Sequence, residues 1–206
     1  MNTLLNGKSA LILGDGGPVG TALAKGLAAL GATMVTGDTK AQVDLVIIPV
    51  TDPGGLTPAP LAEMDEAEWI RRCEAPLNAV RLALQKAHAV LHEKGGRVFL
   101  LVPTISMIGA ADFAPFSAVG EGARSLAKAA ARGWGPLGIT INCLALTQEQ
   151  LAPGIAGQVT ETRVPPALKT PDLETDIAAL IATMTVGPAI VTGTTIMVDG
   201  GNYMSV

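Results

Sequence analysis

The sequence predicts one α/β domain over residues 1–206, built on a mainly parallel sheet with helices on both faces. Two observations predict this class. Short, continuous apolar segments, typical of strands buried on both faces, alternate along the chain with helical segments. Glycine-rich turns separate these segments, and neither an internal repeat nor a linker interrupts the order. The predicted strands are residues 9–14, 43–50, 97–102, 139–145 and 194–198, and the predicted helices are residues 21–30, 64–94, 114–132 and 172–185.

The individual elements follow from local signals. After the first strand, Leu23, Leu27 and Leu30 share one face of a helix that Gly31 ends. The long second helix begins with acidic residues, which favour a first helical turn, and Pro76 should bend it or remove a hydrogen bond. Proline-rich loops are predicted at residues 52–60 and 147–171.

Composition excludes several function classes. The net charge is −4 and no basic run is present, which argues against a nucleic-acid surface. No apolar stretch reaches the roughly 18 residues of a membrane span, and the first residues do not follow the pattern of a signal peptide. Cys73 and Cys143 lack metal-ligand spacing, so we expect buried free thiols in a cytoplasmic protein.

A glycine turn after the first strand and Val198-Asp199-Gly200-Gly201 near the C-terminus carry a family resemblance. In this order of elements, the chain resembles the short-chain dehydrogenase/reductase (SDR) superfamily over almost its whole length. Residues 97–101, 138–145 and 192–201 look like the fifth, sixth and seventh strands of that family. The resemblance implies a Rossmann-like, doubly wound parallel sheet.

The resemblance also implies a catalytic set of Asn, Ser, Tyr and Lys, in which Tyr is the general acid/base and Lys lowers its pKa. At the matching positions this chain has Pro76, Pro103, Phe116 and Gly120, respectively. None of these side chains exchanges a proton or carries a charge. We therefore expect no catalytic residue in this chain and no oxidoreductase activity from the chain by itself.

The family's cofactor turn, Gly-x-x-x-Gly-x-Gly, is matched by Gly14 and Gly20, but Pro18 stands in its middle glycine position. Free N–H groups at the start of the helix hold the pyrophosphate in such turns, and proline has none. Asp38 stands where an NAD-preferring acid is expected, although a solvated turn residue is the simpler interpretation. We expect these positions to be vestigial, with no cofactor bound by this chain and NAD in a partner subunit.

The path of residues 33–43 decides the edge of the sheet. Only residues 39–43 join Asp38 to the next strand, where the family has a helix, a strand and another helix. Five extended residues reach about 17 Å, whereas the usual path spans roughly 20 Å. We expect a truncated sheet that lacks the family's strand-three edge region, with strand two shortened or reoriented.

Other polar groups are less informative. His88 and His92 lie four residues apart on one helical face, but without a third ligand a solvated or interface face is favoured and no metal site is predicted. Thr104, Ser106 and Ser117 lack an obvious basic partner, so packing or capping is the expected role.

The resemblance implies a partner. Helices 64–94 and 114–132 correspond to those of the family's dimer interface, and small residues on the second permit close helix approach. We expect a non-catalytic (pseudoenzyme) subunit that supports an active SDR paralogue. It is similar to the inactive subunit of heteromeric members such as the hydroxybenzylsuccinyl-CoA dehydrogenases of anaerobic toluene degradation. A stand-alone ligand- or redox-sensing protein and an enzyme with relocated chemistry are the alternatives. The small residues are Ala118, Gly120, Gly122, Ala123, Ala127, Ala130 and Ala131.

Overall fold

The computed structural model describes residues 3–14, 17–50, 57–152 and 166–204. Their strands form one sheet of six parallel strands in the order β2-β1-β3-β4-β5-β6, which confirms the predicted α/β class. The strands are β1 (Ser9–Ile12), β2 (Thr33–Val35), β3 (Leu45–Pro49), β4 (Gly96–Pro103), β5 (Ile139–Leu146) and β6 (Thr195–Met197).

Helices connect the strands. The two predicted central helices are confirmed, and the last predicted helix begins as a π turn, Leu173–Ile177. Short 3₁₀ turns cover Leu61–Glu63 and Gly135–Leu137. The α-helices are α1 (Pro18–Ala29), α2 (Glu66–Trp69), α3 (Ala75–Leu91), α4 (Ile105–Ile108), α5 (Ala114–Trp134), α6 (Gln148–Leu151) and α7 (Ala178–Val186).

Apolar clusters lie on both faces of the sheet. In β3, Val46 and Ile48 point into the cluster that contains the buried faces of α3 and α5, while Leu45 and Ile47 point into the one with α1 and α7. Successive side chains of a strand alternate between faces, so a strand covered on both sides must be apolar throughout. The continuous apolar runs of the sequence have this origin.

The long predicted helix is continuous but contains a π turn at Ile70–Glu74, between α2 and α3. At its end the Ala75 N–H donates to the carbonyl of Ile70, five residues earlier. Pro76 follows immediately. The wider π turn keeps the proline ring clear of the preceding carbonyls. It also accommodates the absence of a backbone N–H on the proline. The disturbance expected at Pro76 is therefore a π turn.

The truncated edge is confirmed within the described residues. There β2 is the edge strand, three residues long and parallel to β1. Residues 36–44 turn back over α3, where Gln42 Nε2 donates to the Ala89 carbonyl (3.1 Å) and the Val43 N–H donates to the Val90 carbonyl (2.9 Å). Because β2 ends at Val35, more residues remain to span the distance from its end to the start of β3.

Two further comparisons with the sequence concern loops and the membrane. The predicted loop 147–171 contains α6, and its residues 153–165 lie outside the described residues. Across the described ranges, no helix combines the length and the apolar character that crossing a membrane requires.

Candidate active site

In a parallel sheet the carboxyl ends of the strands share one edge, where ligands of such folds usually bind. Three of the predicted catalytic positions lie at or near this edge. Pro103 is the last residue of β4, and Phe116 and Gly120 lie in the first two turns of α5. Pro76 lies in the first turn of α3.

Gly120 contacts the end of β4 closely. A Cβ atom at this position would lie 3.3 Å from Cγ of Pro103 and 2.7 Å from both Cβ and Oγ of Ser106. Contacts under 3.0 Å are not tolerated without movement of a neighbour. The structure therefore brings two predicted positions, 103 and 120, into contact, with Ser106 beside them.

Phe116 is 3% exposed, in a small apolar cluster with the fully buried Ile105. Ala110 and Ala152 pack against this cluster. The phenyl ring therefore serves as packing between α4, α5 and the end of α6. It offers no hydrogen bond to a bound molecule.

A polar network that the sequence analysis missed runs from α4 through α5 to β6. The Ser106 hydroxyl lies 3.0 Å from Glu121 Oε1 and 2.9 Å from the Pro103 carbonyl oxygen. Arg124 Nη1 donates to both carboxylate oxygens of Glu121, at 2.7 and 2.6 Å, and its Nε donates to the Thr195 hydroxyl at 3.1 Å. The i,i+3 spacing of Glu121 and Arg124 was a visible signal for the ion pair.

The network also affects the pKa of the nearby Cys143 thiol. Burial raises the pKa of Cys143 to about 11, against the opposing effects of Arg124 and Thr195. Burial likewise raises the pKa of Cys73. A thiol with a raised pKa is a poor nucleophile at neutral pH, so neither cysteine is a candidate for covalent chemistry.

Arg72, in the π turn, is a second feature that the sequence analysis missed. The residue is 8% exposed; one Nη atom lies 2.7 Å from Glu68 Oε1 and the other donates to the Thr57 carbonyl oxygen at 2.5 Å. A buried guanidinium must be paired to be tolerated. Arg72 thus fixes the start of the segment 57–60 against the helical layer.

The turn after β1 retains part of the family's geometry. Gly14 has φ +128°, a region that favours glycine, and Pro18 is the first residue of α1. Proline fits a helix at this position, because the first N–H groups have no partner within the helix. It nevertheless removes a donor from the end that would face a phosphate. Residues 15 and 16 lie outside the described residues.

Asp38 follows β2 at the same edge and is exposed. Its Oδ1 accepts a hydrogen bond of 2.5 Å from the Thr36 hydroxyl, which together with a backbone hydrogen bond lowers the pKa of Asp38. This bond uses one of the several acceptor positions of the carboxylate. Pro18 and the uncharged Gly120 do not fit the way the family holds a dinucleotide.

Comparison with known proteins shows the family. A family model described as enoyl-(acyl carrier protein) reductase matches residues 39–202. The chain belongs to the short-chain dehydrogenase/reductase superfamily. The 3-oxoacyl-[acyl-carrier-protein] reductase FabG of Staphylococcus aureus, in strains N315 and MW2 among others, is 31% identical to it over 151 residues. This match covers 70% of the SDR chain and 61% of FabG, so the chain spans less than two thirds of that relative.

Solved structures support the SDR fold. An SDR from Brucella melitensis superposes with a TM-score of 0.74 at 20% identity, covering 100% of both chains. FabI from Candidatus Liberibacter asiaticus gives a TM-score of 0.76 at 18% identity, covering 98% of this chain and 97% of FabI. At these identities the likeness shows the fold alone.

These matches correct one prediction. From the sequence we expected the chain not to be an enzyme by itself, whereas the matching family model and FabG are both reductases. The prediction was wrong because it rested on four positions of one motif, while the similarity extends along most of the chain. The roles of Pro76, Pro103, Phe116 and Gly120 stay predictions.

Proposed function

We propose that this SDR chain is a subunit of an oxidoreductase that also contains a second SDR chain. The observation that carries the proposal is the combination of reductase family membership with the carboxyl edge described above. There, Phe116 packs in an apolar cluster and Gly120 contacts Pro103 and Ser106. A second chain would supply the groups that this edge lacks.

The proposed substrate is an acyl thioester. The names of the family model and of FabG both refer to acyl groups on acyl carrier protein. A coenzyme A thioester, which the sequence resemblance implied, carries its acyl chain through the same thioester linkage. The chemistry would be the interconversion of a keto and a hydroxy group on the acyl chain.

The proposed contact with the second chain lies on α3 and α5, but the small residues of α5 do not support it. Ala123, Ala127 and Ala131 are buried in the chain's own core. A Cβ at Gly122 would lie 2.9 Å from Cδ1 of Leu77, so this glycine serves packing between α3 and α5.

Exposed apolar side chains give the proposed contact face better support. Leu82 of α3 is 50% exposed, and Ile70, in the π turn before it, is 44% exposed. An obligate interface of this kind should bury more than about 2,000 Å² in total.

The proposed cofactor arrangement assigns NAD to the second chain. The turn with Pro18 supports this division. We also propose a cytoplasmic location, which agrees with Cys73 and Cys143 being free thiols.

The test is purification of the chain from its native source, followed by co-expression with the SDR chain that accompanies it. We expect one complex in size-exclusion chromatography, with NADH-dependent reduction of a 3-oxoacyl thioester by the complex. Leu82→Glu should dissociate the complex. The matched control is Leu61→Glu, because Leu61 is 59% exposed but lies outside the proposed contact helices.

The outcomes are distinct. A complex without turnover would contradict the proposed reaction, and a complex unaffected by Leu82→Glu would contradict the proposed contact face. A monomer that associates with no SDR chain and binds a small molecule saturably would favour the stand-alone binding protein instead.

A further inference from the structure

His88 and His92 are the only histidines of the sequence, and both lie at the C-terminal end of α3. Their rings are nearly parallel, with an interplanar angle of 15° and centroids 5.5 Å apart. On a helix, residues four apart stand on the same face one turn from each other. Two imidazoles so placed are available to one common ligand.

The tautomer of His92 is fixed by the backbone. Its Nδ1 lies 3.0 Å from the carbonyl oxygen of Ala89, which only accepts, so Nδ1 carries the proton. Nε2 is then the ring nitrogen that carries the free lone pair. A histidine that ligates a metal usually donates its other ring N–H to a carbonyl or carboxylate in this way.

The orientation of His88 is restricted by an aromatic neighbour on α5. The Trp134 ring lies 5.0 Å from the His88 ring between centroids, at an angle of 57°. His88 is half-buried and His92 is exposed, so the pair has a packed side and an open side. The site is therefore supported from the protein and accessible from solvent.

The end of the helix favours a bound cation. The C-terminal end of a helix carries the negative end of its dipole, and both histidines lie within its last turn or at its cap. The neighbouring lysines are engaged elsewhere. Lys86 Nζ donates to the Thr39 carbonyl oxygen, and Lys94 Nζ lies 3.4 Å from Asp44 Oδ1.

We propose that His88 and His92 together bind one divalent transition-metal ion of the borderline class, such as Cu²⁺, Ni²⁺ or Zn²⁺. Imidazole nitrogen suits these ions, whereas Mg²⁺ prefers oxygen ligands. Metal–nitrogen bonds of about 2.1 Å join two ring nitrogens that lie up to about 4 Å apart, so the two rings, with centroids 5.5 Å apart, would turn toward each other on binding. Among the described residues no group of three or more His, Cys, Asp or Glu surrounds an ion, so water fills the other coordination positions.

The sequence pattern alone favoured a solvated helix face without a metal. Three structural observations favour a metal site instead. They are the hydrogen bond at His92 Nδ1, the contact of Trp134 with His88, and the bonds that Lys86 and Lys94 make elsewhere. The proposal does not depend on the proposed reductase assembly.

The test is calorimetric titration of the full chain, without a polyhistidine tag, with CuCl₂, NiCl₂, ZnCl₂ and MgCl₂. We expect one equivalent of Cu²⁺ to bind with a micromolar Kd, Ni²⁺ and Zn²⁺ to bind more weakly, and Mg²⁺ not to bind. His88→Asn and His92→Asn should each weaken Cu²⁺ binding at least tenfold. Gln85→Ala, at an exposed position on the same helix, should leave it unchanged.

Each outcome of the titration either supports or contradicts the two-histidine site. No saturable binding of any of the three transition-metal ions overturns the proposal. Binding that survives both substitutions, or that is lost in only one of them, contradicts a two-histidine site. If an Asn variant fails to fold by circular dichroism, the Gln variant at that position replaces it.

Discussion

Ser106 occupies the space in which a side chain at position 120 would begin, since its Cβ and Oγ would each lie 2.7 Å from a Cβ on Gly120. The two residues belong to different helices, α4 and α5, and Ser106 reaches onward to Glu121. The Ser106 side chain therefore requires glycine at position 120. Glu121, the next residue, positions Ser106 through a hydrogen bond with its hydroxyl. Gly120 thus fits its surroundings closely, although it lies where the SDR motif would have a lysine.

We predict that Gly120→Ala lowers the free energy of unfolding by about 1–3 kcal/mol, the usual cost of overpacking a well-packed site. Urea denaturation measures it. Ser106→Gly removes the atoms that clash, so the double variant should recover much of the loss, which appears as a coupling energy in a double-mutant cycle. Additive effects would contradict the direct contact.

We predict a larger effect at Gly26 of α1. A Cβ there would lie 2.0 Å from the carbonyl oxygen of Glu174 and 2.7 Å from Cβ of Ala178. A backbone carbonyl cannot move aside as a side chain does, so Gly26→Ala must separate α1 from the π turn before α7. We expect a loss at or above the upper end of about 1–3 kcal/mol.

Gly37→Ala is the matched control for Gly26→Ala, because Gly37 is exposed and a Cβ there meets nothing within 4 Å. Thermal denaturation of the two variants should separate them clearly. Equal melting temperatures would show that α1 and the last helical segment are less closely packed than the structure describes.

The strands and main helices were predictable because buried parallel strands are continuous apolar runs and amphipathic helices repeat their apolar positions. The segment 139–145 was predicted as a strand, and β5 extends it by one residue to Leu146. Helix α6 was missed although Thr147 and Gln150 form a capping box, because the surrounding prolines suggested a loop.

The candidate site was less predictable, because its contacts join distant parts of the chain. Arg124 and Thr195 are 71 residues apart, and no local pattern reports such a hydrogen bond. Pro18 shows a different difficulty. The sequence aligns this proline with a glycine of the motif. In the structure Pro18 is the first residue of α1, a position where proline does not disturb a helix.

We predict a pH-dependent contribution from Asp44, at the amino end of the sheet. Burial alone would raise the pKa of this carboxyl, but hydrogen bonds from the Ser9 N–H (2.9 Å) and hydroxyl (3.0 Å), with Lys94 and Lys8 nearby, lower it. A lowered folded-state pKa stabilises the fold above the unfolded-state value of 3.8, and this contribution is lost as the pH falls below it.

Asp44→Asn should therefore destabilise the chain at neutral pH by about 1.5–3 kcal/mol, the usual contribution of hydrogen bonds to a charged group. Denaturation from pH 7 to pH 3 should show a constant difference from the unsubstituted chain down to about pH 5, shrinking at lower pH. The exposed Glu63→Gln is the control. A difference that grows on acidification would contradict the assignment.

The cofactor turn gives the final prediction, which concerns the isolated chain. A working site would need the N–H groups at the start of α1 to face the pyrophosphate, and Pro18 removes one of them. Gly120 adds no charge near the nicotinamide end.

We therefore predict that NADH titrated into the isolated chain shows no saturable binding in the micromolar range, which would correspond to roughly −8 kcal/mol. Calorimetry measures this directly, and the complex with the second SDR chain should bind NADH under the same conditions. Pro18→Gly tests the cause, because it restores an N–H donor at the first position of α1 and should strengthen binding measurably if the turn is the obstacle. A stoichiometric micromolar complex with the unsubstituted chain would overturn the division of cofactor binding between the two chains. It would leave the assembly itself to be decided by the Leu82→Glu experiment, since that contact lies on another face of the molecule.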